Sequence, residues 1–141
     1  MKTLLVFLLA IAVAAATPVK LSNLQANELL ITLSQIGPGL TAQNTTCIAR
    51  NINALRPLVE AWSKGDQAAR DRLKITATTP IESPNGTAYL AEAKRNNEEI
   101  ITVELSPVKI SDEEIVAAKI APPVLSLILL RLAPPDPAAA H

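Results

Sequence analysis

A single cysteine, a single histidine and three aromatic side chains are all that 141 residues supply, and each shortage excludes a class of chemistry. Structural and catalytic zinc sites draw on clusters of Cys and His, and none exists here. The lone histidine, His141, is the last residue of a Pro- and Ala-rich end. A nucleophilic cysteine or serine has no spaced histidine to serve as its base. No Asp-rich loop fits calcium, and the pairs Glu98-Glu99 and Glu113-Glu114 lack the aromatic platform of a sugar site. Of the four glycines, Gly37 and Gly39 flank Pro38; this GPG reads as a helix stop, since a phosphate cradle needs the backbone donor that proline lacks. The composition therefore points to a non-enzymatic protein with no cofactor and no metal.

Charge of either sign is also scarce in net terms. Thirteen basic residues face thirteen acidic ones, so the chain has no electrostatic reason to seek nucleic acid. The charge is uneven along the sequence, with Arg50, Arg56, Lys64, Arg70, Arg72 and Lys74 in the middle and Glu92, Glu98, Glu99, Glu104 and Asp112 to Glu114 later. These runs are expected to be solvated or to face one another.

The longest apolar run lies at the start. MKTLLVFLLAIAVAAATPVK has a basic residue at Lys2, an apolar stretch over 4–13 and small residues at Ala14 and Ala16, the layout of a secretory leader cleaved between Ala16 and Thr17. The stretch is well short of the ~20 residues needed to cross a bilayer. The expected division is a signal peptide over 1–16, one helical domain over 17–133 and a disordered tail over 134–141. The expected location is extracellular, with no membrane span.

Export gives meaning to two acceptor triplets, Asn44-Thr45-Thr46 and Asn85-Gly86-Thr87. A glycan requires its asparagine to face water, so both are expected at the surface, Asn85 in a Pro-Asn-Gly turn. Cys47, three residues after Asn44, has no partner in the chain. It is either a small buried side chain on an apolar stripe or, in an oxidising compartment, a disulfide to a second copy. Lys94-Arg95 reads as solvated charge, with dibasic processing of a precursor as the alternative.

The fold expected from periodicity is all-α, a small single-domain bundle of about five or six helices. Ser22 and Gln25 form a capping box for a helix that ends at Gly37-Pro38. Leu40, Cys47, Ile48, Ile52, Leu55, Leu58, Val59 and Trp62 follow as one apolar stripe, interrupted at Pro57 and closed at Gly65, after which Asp66 opens a short polar helix. Residues 76–87 read as a loop. The stretch 88–105 is helical to about Asn97, but Ile101, Val103 and Leu105 alternate as a strand would. The alternative is therefore α+β, with a hairpin joining 74–81 to 99–105. Ser111 and Glu114 form a second capping box, and Pro122-Pro123 stops that helix. VLSLILLRL then offers apolar side chains on nearly all sides. Trp62, Leu125, Ile128 and Leu129 are the expected apolar surface for a partner protein or a small apolar ligand.

Overall fold

The computed structural model describes residues 15–134, so the expected leader and tail lie almost entirely outside the described residues. The order of elements is β1 (Thr17–Ser22), α1 (Asn23–Ser34), α2 (Ala42–Arg72), α3 (Pro84–Glu98), β2 (Ile100–Leu105), α4 (Asp112–Ala117) and α5 (Pro122–Leu132). The domain is small and mostly helical, as periodicity indicates, with the addition of one antiparallel pair of strands.

Strand and helix meet at Ser22. Its Oγ accepts from the Gln25 backbone N–H at 3.2 Å while the Gln25 side chain accepts from the Ser22 backbone N–H at 3.0 Å, the capping box expected from the sequence. TPVKLS precedes it as β1 and pairs with IITVEL of β2 in a register that sets Val19 against Val103 and Leu21 against Ile101. Side chains opposite each other share a face. Thus Leu21, Val103 and Leu105 enter the core while Lys20, Thr102 and Glu104 stay exposed. The strand over 100–105 is correct, but 74–81 is not its partner. The partner is the six residues beside the expected cleavage point, too short to signal a strand by themselves because β1 gains its stability from pairing.

Helix α2 runs 31 residues straight through Pro57 and Gly65, where the sequence suggested two interruptions. Proline in a helix interior costs ~3 kcal/mol. Here that cost is offset because the residues on both sides are anchored: Cys47, Ile48, Asn51 and Leu55 are buried before it and Ala69 after it, while Pro57 itself faces solvent. The helix ends with Lys74 in the left-handed region at φ 53° and the Ile75 N–H bonded to the Arg70 carbonyl at 2.8 Å. This six-to-one bond closes the turn as a Schellman motif.

Three further corrections have local causes. The glycine with positive φ after α1 is Gly39, at φ 121°, beyond the expected stop at Gly37-Pro38, where a Cβ would fall 2.6 Å from the Ala117 carbonyl carbon. Asn85 lies in the first turn of α3 and not in a free turn, because Ser83 caps that helix by accepting from the Gly86 N–H at 3.0 Å and Pro84 occupies its first position. Proline suits that position, where its missing N–H would have had no partner. Pro122 likewise opens α5, while α4 ends earlier, at a second left-handed lysine, Lys119, with Ile120 N–H bonded to the Ile115 carbonyl at 3.0 Å.

The core lies where α1 meets α2, the sheet and α5. Leu21, Leu29, Leu33, Leu55, Leu105 and Ile128 are its largest fully buried side chains. Aliphatic area removed from water is worth ~25 cal/mol per Å2, and with so few aromatics this chain relies on it almost alone. One polar clamp crosses the core: Asn51 accepts from the Ser106 N–H at 2.7 Å and donates to the Ser106 carbonyl at 2.9 Å. Both orphaned backbone groups at the end of β2 are thereby satisfied.

Candidate functional site: the Trp62 cleft

Trp62, Ala61, Leu58 and Gly65 form one face of α2, and opposite them stand Ile101 of β2 and Asn23 of α1, with Asn96 and Glu99 from the end of α3. Between them lies a cleft of about 300 Å3, at the small end of the ~300–1,000 Å3 typical of ligand pockets. Its walls are held by α1 and α3 together. The Asn23 amide donates to the Asn96 carbonyl at 2.8 Å, and the Asn23 backbone N–H donates to the Glu99 carbonyl at 3.0 Å. Trp62 contributes an apolar ring and one unusual atom. Its Nε1 is buried with no hydrogen-bond partner among the described residues.

Beside this cleft, Asp66 ties α2 to α3. Its carboxylate accepts from Arg70 Nε at 2.8 Å and from the Tyr89 hydroxyl at 2.8 Å, and the Arg70 guanidinium stacks 4.7 Å from the Tyr89 ring centre. Burial disfavours the charge on Asp66, but the hydrogen bonds from Arg70 and Tyr89 outweigh it and hold the carboxyl below its ordinary range. Arg72 pairs with Glu92 as well. The basic middle and the acidic later part of the sequence thus meet across these two helices.

The residues expected to form a shared apolar surface are not brought together. Trp62 lines its cleft with residues of α1, α2, α3 and β2, and no residue of α5 takes part. Ile128 is fully buried in the core, Leu125 is half-buried and Leu129 is 51% exposed. Lys94 and Arg95 are exposed within the body of α3.

Cys47 is 1% exposed and belongs to the core cluster, the buried placement of the two that its position allowed. Asn44 overturns its expectation. It is only 6% exposed, and its Nδ2 donates to the Lys109 carbonyl at 2.8 Å and to both oxygens of Glu114. Asn85 is exposed. Sequence reasoning missed Asn51 and Glu114 as core polar groups, although a signal was present: Asn44, Ile48, Asn51 and Leu55 follow each other at helical steps, which places both asparagines on the buried stripe.

No protein-family model, no curated protein and no solved structure matches this chain.

Proposed function

We propose that this chain is an exported, N-glycosylated, non-enzymatic binding protein, a small helical bundle that takes a neutral, mostly apolar small molecule at the Trp62 cleft. The buried, unpartnered indole Nε1 carries the reading. A buried donor without an acceptor costs ~1–3 kcal/mol. A ligand bearing one hydroxyl or carbonyl oxygen recovers that cost where its oxygen reaches the indole N–H. The apolar remainder of the ligand lies against Leu58, Ala61 and Ile101. Glu99 supplies an acceptor on the far wall and, among the described residues, no cationic side chain lines the cleft, a combination that favours an alcohol over a carboxylate.

Export is supported by the leader-like start together with the position of β1, whose pairing with β2 begins at Thr17. Since Trp62 is the only tryptophan, its indole N–H gives one resonance in a nitrogen–proton correlation spectrum. Titration with octan-1-ol is expected to shift that resonance saturably, and Ala61→Phe, which fills the cleft from its exposed side, is expected to abolish the shift. A resonance that stays fixed up to the solubility limit of the alcohol sinks the proposal.

A further inference from the structure

A second cleft, of about 260 Å3, lies between the start of β1, the end of β2 and the end of α5. Val19, Leu105 and Leu132 give it an apolar floor, and Thr17, Ser106 and Arg131 are its polar members. Arg131 Nε is buried without a hydrogen-bond partner, and the guanidinium has no ion pair among the described residues. Ser106 is 3% exposed, and both of its backbone groups are taken by Asn51. Its hydroxyl has no described partner. Among the described residues no acidic side chain lines the cleft, and the Leu132 carbonyl accepts from the Val108 N–H at 2.8 Å.

Removal of the leader would add a third donor. Hydrolysis of the Ala16–Thr17 peptide bond by water leaves a carboxylate on Ala16 and a new α-amino group on Thr17, which takes up a proton near neutral pH. That ammonium belongs to a residue lining the same cleft as Arg131. We infer that processing at Thr17 completes a carboxylate-binding site, in which a short aliphatic acid places its charged end between the Thr17 ammonium and Arg131, with Ser106 donating, and its hydrocarbon on Val19, Leu105 and Leu132. The inference rests on the export reading and is independent of the Trp62 cleft. Charge complementarity selects the ligand. Two cations with one buried hydroxyl match a carboxylate, and the volume admits only a short chain. The chain's own Asp136 is a competing carboxylate, but the last described residue before it, Pro134, lines a different cleft with Lys109 and Glu114.

The test uses the exported protein with its N-terminus determined by sequencing, followed by calorimetric titration with hexanoate and, as a control with the same body and no charge, hexan-1-ol. Hexanoate is expected to bind at least about tenfold more tightly than the alcohol, as charge-assisted hydrogen bonds would require. Arg131→Gln and selective acetylation of the Thr17 amine are each expected to remove about that factor with the circular dichroism spectrum unchanged, while Arg131→Lys keeps most of it. An N-terminus other than Thr17 overturns the proposal through the export reading. Thr17 at the N-terminus with equal affinity for acid and alcohol overturns the site itself. A tighter hexanoate complex in Asp136→Asn would show that the tail, and not an external acid, is the occupant.

Discussion

Asn44 Nδ2 stands 2.9 and 3.0 Å from the two carboxylate oxygens of Glu114, joining the first turn of α2 to the first turn of α4. The same carboxylate accepts from the Thr41 N–H at 2.7 Å and from the Ser111 N–H at 3.0 Å. A buried anion is costly by itself, yet this one is surrounded by donors. Burial pushes its pKa up, and the bonds from Ser111, Thr41 and Asn44 override that and bring it down to about 2.

Because the folded value is depressed, Glu114 contributes stability that is fully present above its unfolded value of 4.5 and is lost as pH falls through about 2. Urea denaturation at a series of pH values is expected to show a steep acid-side loss over that window. The loss should be flattened in Glu114→Gln, which is less stable at neutral pH but has no proton to take up. If the acid limb is equally steep in the variant, Glu114 is not its origin.

Only one of the two acceptor triplets is expected to be occupied. A glycan replaces one of the two hydrogens on Nδ2, and in Asn44 both are engaged, one with Lys109 and one with Glu114. Asn85 is exposed and free to carry it. Glycosidase treatment of exported protein should release a single glycan, lost in Asn85→Gln and retained in Asn44→Gln. Two glycans per folded chain would show that the α2–α4 contact forms differently from the one described.

The contrast between these asparagines shows how far the sequence was legible. Elements whose signals are local were legible: the capping boxes at Ser22 and Ser111, the body of α3 from 88 to about Asn97, though not its first turn at Pro84, and the alternation of Ile101, Val103 and Leu105 that marks β2 as one of two open readings. What failed depended on distant neighbours. Pro57 and Gly65 break an isolated helix, but in α2 the buried residues on both sides hold the turns in place. The partner of β2 lies far back in the chain, 78 residues earlier for Ser22 and Ile100 and 88 for Thr17 and Leu105, a non-local pairing that nothing in TPVKLS alone announces. For the site, Trp62 was identified but its companions were not, since Asn23, Asn96, Glu99 and Ile101 reach the cleft only through the packing of α1, α3 and β2 on α2.

Cys47 is expected to resist alkylation by iodoacetamide in the native protein and to react once the chain is unfolded, because a fully buried thiol has no route to the reagent except through opening of the core. Non-reducing electrophoresis should show a monomer. Rapid native labelling would mean that the stretch around Cys47 opens readily and would restore the disulfide-linked reading.

Two helix ends carry lysine where glycine is favoured. Lys74 and Lys119 occupy the left-handed position with φ of 53° and 52°, and an L-residue there costs ~1 kcal/mol relative to glycine. Lys74→Gly and Lys119→Gly should each stabilise the fold by up to about that amount, less the favourable charge of lysine at a helix C-terminus. Gly86→Ala should do the reverse, since its Cβ would collide with the Pro80 carbonyl oxygen and force the preceding loop to move. Thermal unfolding of the three variants checks the signs.

Gly65 separates stability from binding. It sits inside α2, its added Cβ would meet nothing within 4 Å, and it lines the Trp62 cleft. Alanine reduces the entropy of the unfolded chain and is the better helix former by ~1 kcal/mol, so Gly65→Ala should raise the unfolding free energy by about that amount. The added methyl narrows the cleft wall beside the indole, so octan-1-ol should bind the more stable variant less tightly. A variant that gains stability and binds the alcohol as before would place the ligand elsewhere than beside Gly65. One that loses stability would mean that α2 is not regular at this position.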